Sequence, residues 1–173
     1  SVWNREAVYV LAKSLVALGH NAAAQKKIRE YKKSAKNHEL FEADLLMAKS
    51  LIESGSGAAV SNLKDLIMHS GSEDELSELR PLMIDVKKRF KVDLERWLDN
   101  PYRQYQLAKS FAERSQWDET ASRLEKVIHM KKLDFATKVR SKWLLSRAYR
   151  WLHRYDESIA LMKELQKTQG ARE

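Results

Sequence analysis

Four cations stand at matching places in four short strings: Leu11-Ala12-Lys13-Ser14, Met47-Ala48-Lys49-Ser50, Leu107-Ala108-Lys109-Ser110 and Leu145-Ser146-Arg147-Ala148. Four residues before each cation lies Tyr9, Leu45, Tyr105 or Trp143. On a helix that spacing sets a ring or apolar group and a cation on one face. The chemistry of such a face is anion recognition. An ammonium or guanidinium pairs with a carboxylate, and the ring supplies apolar contact beside it. The plain alternative is solvation, because Lys favours helices and its stem snorkels along apolar surface.

Residues for other chemistry are missing or badly spaced. The chain has no Cys, which removes thiolate metal sites, thiol nucleophiles and disulfides, and leaves cytosol and periplasm both open. His20, His38, His69, His129 and His153 are all more than four residues apart, so no helical metal-binding pair forms. His20 and His153 read as polar turn residues. Gly55 and Gly57 mark a turn, without the further Gly and Lys of a phosphate loop. Glu73, Asp74 and Glu75 form an acidic first turn that suits a helix dipole rather than hydrolysis. No catalytic residue, no metal site and no cofactor is expected, and the chain itself is expected not to be an enzyme.

The elements that must carry the cations are helices. Only 5 Gly and 2 Pro occur in 173 residues, against a turn-rich β fold. Val8, Leu11, Leu15 and Leu18 repeat at three and four and stop at Gly19, which predicts a first helix with that apolar stripe. Further helices are expected over about 21–33, 39–53, 58–69, 72–90, 93–99, 101–114, 118–130, 135–151 and 156–167. Ser72 with Glu75 is a candidate capping box. Asn100 followed by Pro101 is a candidate N-cap. Pro81 should kink or split the helix bearing Leu76, Leu79, Met83, Val86 and Phe90. No run reaches the roughly 18 apolar residues of a membrane span. The start, Ser1-Val2-Trp3, shows no signal-peptide pattern and reads as the excised beginning of something longer.

The four strings recur at intervals of 36, 60 and 38 residues, and their surroundings agree. A bulky residue follows at Leu15, Leu51, Phe111 or Tyr149, then a turn at Gly19, Gly55, Ser115 or His153. Next comes a small or short residue, Ala24, Ala59, Thr120 or Ser158, whose size lets two helices cross closely. On these residues the chain resembles the tetratricopeptide-repeat family, over nearly its whole length and with a loose pattern. The opening Trp of the pattern is missing, Trp143 sits one place off, and the closing Pro is absent throughout. The resemblance implies an all-α, right-handed α-solenoid of degenerate helical hairpins. Its single domain, 1–173, would contain units of about 5–36, 39–70, a divergent 72–99, 101–132 and 135–168.

It also implies that first helices line a concave face. The partner-binding ladder would then be Tyr9, Lys13, Leu45, Lys49, Tyr105, Lys109, Trp143 and Arg147. In some relatives equivalent cations clamp a terminal carboxylate, with an Asn beside them that is not found here. More narrowly, Lys138–Lys167, with Arg147-Ala148-Tyr149-Arg150 and Arg154-Tyr155-Asp156-Glu157, is similar to the N-terminal helical region of soluble lytic transglycosylases. Glu53-Ser54 and Glu157-Ser158 match the Glu-Ser pair of that family's catalytic acid. Both stand in helix–turn context without the surrounding motifs and are read as chance.

Charge is unevenly spread. Lys+Arg number 32 and Asp+Glu 24, for a net charge of +8. Residues 121–155 hold ten cations against Glu125 and Asp134, whereas residues 37–86 hold three cations against ten acids. This could dock a partner, steer an anion or let copies meet head to tail. The expected function is a non-catalytic scaffold or interaction module, binding a protein, an acidic peptide or an anionic cell-wall polymer on the concave face. The alternative is the helical domain of a periplasmic peptidoglycan-cleaving enzyme whose catalytic domain lies outside this sequence, which tilts localisation toward the envelope. The third reading is a nucleic-acid-binding repeat, using Trp143, Tyr149, Trp151 and Tyr155 among Arg residues. Helical spacing places several of those rings in the core, which argues against it.

Overall fold

The computed structural model describes residues 2–170 of the chain, so Ser1 and the reading of the start lie outside it. Ten α-helices and no strand occur among the described residues: α1 (Val2–Ala17), α2 (Asn21–Lys32), α3 (Asn37–Glu53), α4 (Ala59–Met68), α5 (Glu73–Phe90), α6 (Leu94–Leu98), α7 (Pro101–Glu113), α8 (Trp117–Val127), α9 (Phe135–Trp151) and α10 (Tyr155–Gly170). The fold is all-α. None of these helices is long and apolar enough to cross a membrane. The chain divides into two compact units, one of residues 1–67 with 78–94, the other of residues 68–77 with 95–173.

Four hairpins end their first helix in the same way. Gly19, Gly55, Ser115 and His153 adopt left-handed φ values of 74°, 67°, 58° and 60°. The next residue's N–H then reaches back to the carbonyl of Leu15, Leu51, Phe111 or Tyr149, at 2.9, 3.0, 3.0 and 2.8 Å. This six-to-one bond is the Schellman closure, which satisfies a carbonyl the helix leaves unpaired. Gly takes the left-handed position without steric cost; Ser115 and His153 hold it under mild strain.

Past the turn the small residues meet. Ala12, Ala48 and Ala108 are fully buried and Ser146 is 5 % exposed, while Ala24, Ala59 and Thr120 are fully buried across from them in sequence. In the second unit hydroxyls report how close the crossing is. Thr120 Oγ1 donates to the Gln116 carbonyl at 2.7 Å and lies 3.4 Å from the Ala108 carbonyl, and Ser158 Oγ donates to the Ser146 carbonyl at 2.9 Å. Within the first unit α1 packs on α2 and α3; within the second, α7 packs on α8 and α9, and α9 on α10. So successive first helices lie side by side in each unit.

The core of the second unit gathers Leu124, Leu144 and Leu145, none more than 5 % exposed. Each contributes about 1.5–3 kcal/mol by leaving water. The first unit buries Ile28, Leu63, Leu79 and Val86 in the same way. Arg89, near the end of α5, donates to the Glu53 carbonyl at 2.8 Å and so neutralises the C-terminal end of α3. The Asn100 cap forms as expected, its Oδ1 accepting from Arg103 N–H at 3.2 Å. The Ser72 box forms by half. Ser72 Oγ accepts from Glu75 N–H at 3.2 Å, but the Glu75 carboxylate takes the N–H of Gly71 at 2.7 Å.

One expectation is corrected in part, the splitting at Pro81, and one in full. Pro81 does not split its helix, because α5 runs through it. Leu79, Leu82, Met83 and Val86 are buried on either side and hold the rod, while Pro81 and Ser77 lie on the exposed side. There water can donate to Ser77 C=O the hydrogen bond that the proline ring cannot supply. In α1 the stripe is displaced: Leu11 is 45 % and Leu18 70 % exposed, whereas Ala12 and Val16 are buried. Close crossing selects the small side chain, so the apolar repeat runs one position away from the contact.

Candidate functional site

In the first unit the ladder begins at Tyr9 and Lys13 on α1. Lys13 is exposed, and its Nζ sits 5.5 Å from the centroid of the Tyr9 ring. That ring is itself occupied. It packs tilted on Tyr31 of α2 with centroids 4.8 Å apart, and its hydroxyl donates to Glu42 Oε2 of α3 at 3.2 Å. Burial first, and then the Glu42 charge, push the Tyr9 phenol up to about 12. The second rung, Leu45 and Lys49 of α3, has no ring; Leu45 is half-buried and Lys49 exposed. Beside it Lys32 pairs with Asp44.

In the second unit the same two rungs stand open. Tyr105 of α7 is half-buried, and Lys109 beyond it is exposed and, among the described residues, pairs with Glu113 alone, at 3.9 Å. A surface pair at that distance contributes little. Trp143 of α9 is 51 % exposed, with the Arg147 guanidinium 5.0 Å over its ring. Such stacking keeps an arginine extended while leaving its outer edge for an anion. Tyr105 and Trp143 line one cavity of about 490 Å³ together with Val139, Arg140, Met162, Leu165 and Gln166. Arg140 is exposed and makes no ion pair among the described residues. Two residues on, Lys142 pairs with Glu164 of α10 at 2.9 Å, which holds the Glu164 carboxyl below its usual range.

The eight ladder residues therefore fall into two groups of four, one in each unit. The cavity joins Tyr105 and Trp143, while Lys109 and Arg147 extend its face along α7 and α9. Sequence reasoning missed Met162, Leu165 and Gln166 as lining. Their signal is Met162 and Leu165 at three-residue spacing on the last helix. It also counted Arg140 as bulk charge only. The expectation that several rings of the basic stretch are core is corrected. Only Tyr149 is buried; Trp143, Trp151 and Tyr155 are 51 %, 58 % and 52 % exposed. Trp151 is held by parallel stacking on Trp117 at 5.6 Å, and Tyr155 by its hydroxyl 2.8 Å from His153 Nδ1.

The first unit carries a different cavity, about 470 Å³, lined by Arg29, Lys32, Lys33, Asp44, Met47 and Asn62 among others. No ladder residue lines it. Among the described residues no group of three or more His, Asp or Glu is placed to hold a metal ion, and the His38 side chain lies outside them. Compared with protein-family models, with curated proteins and with solved structures, the chain matches none.

Proposed function

We propose that the chain is a non-catalytic interaction module. On this reading each unit is a stretch of right-handed, tetratricopeptide-like solenoid, and the face formed by α7 and α9 binds an acidic partner. The observation that supports it is the surface of Tyr105, Trp143, Arg140 and Arg147, where cations and rings surround a cavity and no carboxylate of the described residues hydrogen-bonds the Tyr105 ring system. The equivalent face of α1 and α3 has its carboxylate already, from Glu42.

The test is fluorescence anisotropy of fluorescein-labelled polyglutamate. Lys109→Glu and Arg147→Glu each replace an attraction by a repulsion at an exposed position, so each should weaken binding several-fold and make its loss with salt shallower. If both variants bind polyglutamate as tightly as the parent, the face is not used. A second reading, single-stranded nucleic acid, is favoured by the exposed rings of Trp143, Trp151 and Tyr155 in a basic stretch. Oligothymidylate that shows no salt-sensitive shift even at low salt excludes it.

A further inference from the structure

The two units carry the same hairpin pair with one exchange of sign. Glu42 lies three residues before Leu45, and Arg140 lies three residues before Trp143. In the first unit the Glu42 carboxylate sits on the Tyr9 hydroxyl, and Lys13 caps the same ring. In the second unit Tyr105 has no such carboxylate among the described residues, and Arg140 occupies the place of Glu42 in the register. A second exchange accompanies it. Tyr31, seven residues past Ala24, braces the Tyr9 ring; seven residues past Thr120 stands Val127, which is too small to do so and is fully packed in the core.

We propose that the cavity of the second unit takes one bulky apolar side chain of an extended acidic peptide, with a carboxylate on either side of it held by Arg140 and Arg147. This rests on the binding reading above and names its ligand. The lining is apolar at Val139, Met162, Leu165 and the two rings, with Gln166 as the uncharged polar group. A volume of about 490 Å³ accommodates an aromatic or branched side chain. Arg140 and Arg147 lie two turns apart on α9, roughly 10 Å along the axis, with Trp143 between them. In an extended peptide, residues two before and two after a given side chain point the same way and span roughly 13 Å. Two arginine side chains cover that difference. The recognised pattern is thus acid–x–apolar–x–acid, and the first unit, with Glu42 in place, supplies its own carboxylate where the second must receive one.

Three fluorescein-labelled probes test this: Gly-Glu-Ser-Phe-Ser-Glu-Gly, the same peptide with Ser for Phe, and polyglutamate. The Phe peptide should bind at least about tenfold tighter than its Ser counterpart. Trp143→Ala should erase that advantage, and because the ring also orients Arg147 it should weaken the Ser peptide too, but by less than the Phe peptide. Arg140→Glu should weaken both peptides. Both residues are exposed, so unchanged thermal midpoints are expected. If Trp143→Ala disturbs the fold, Met162→Glu, at a site 38 % exposed, replaces it and should also erase the Phe advantage. Equal affinity for the Phe and Ser peptides overturns the pocket while polyglutamate binding keeps the broader reading. No binding of any acidic probe overturns both.

Discussion

The α1–α3 and α7–α9 pairs share a backbone plan and differ in what fills it. Both place a buried small residue, a ring or apolar group and an exposed cation in the same register. In the first pair a ring from α2 and a carboxylate from α3 close over Tyr9. In the second pair Val127 and Arg140 leave Tyr105 and Trp143 around a cavity. The same register position is therefore closed over by side chains in one unit and lines a cavity in the other. The exchange of sign at a single site, Glu42 against Arg140, sets a carboxylate on the ring in one unit and a guanidinium beside the cavity in the other.

Core truncation should show the largest asymmetry. Leu107→Ala or Leu145→Ala, both fully buried, should cost about 2–5 kcal/mol. Leu11→Ala, the same repeat position in α1 but 45 % exposed, should stay within about 0.5 kcal/mol. Urea denaturation measures all three. Equal losses would show that α1 is seated on a different face from the one described.

Crossing positions come next. Ala24→Leu inserts three carbons at a site with no exposed surface and should cost about 1–3 kcal/mol. Ser158→Leu should cost less, because Ser158 is only half-buried. Smaller again are the turns. Gly19→Ala forces a Cβ onto a φ of 74° and should destabilise by about 1 kcal/mol, with nothing within 4 Å to compensate. Ser115→Gly should stabilise by up to about 1 kcal/mol, since it relieves the same conformation at 58°. Thermal midpoints of the two variants moving in the same direction would break the equivalence of the turns.

The helices and their four turns were legible because small residues, Gly and bulky residues keep one register over nearly the whole chain. Ser115 and His153 would not signal a left-handed turn alone; their alignment with Gly19 and Gly55 did. What stayed hidden depends on partners far apart in sequence. Ala12 carries the α1 contact that periodicity assigned to Leu11, because hydrophobic pattern is blind to how closely two backbones approach. Pro81 keeps its helix because of the buried residues around it, which no local rule weighs. The ladder's residue types were readable, but its division into a filled half and an open half was not. That division needs Glu42 brought to Tyr9 and Met162 and Leu165 brought to Trp143.

The smallest effect is a titration, and it probes the filled half directly. The Tyr9 phenol rises from 10.0 to about 12 through burial and Glu42, and the Tyr149 phenol also rises to about 12 through burial and its 2.9 Å bond to Glu125. Below pH 10 folded and unfolded chains both keep these protons, so the stabilisation is complete there. Between pH 10 and 12 the unfolded chain releases them first, and stability falls as pH rises. Tyr9→Phe should therefore flatten part of that alkaline decline, and Tyr149→Phe another part. Lysines titrate in the same window, but their contribution cancels when parent and variant are compared. Denaturant midpoints across this range give the measurement. If Tyr9→Phe declines as steeply as the parent, the phenol is not held against Glu42. The first unit then has no built-in carboxylate, and the contrast with the open half fails.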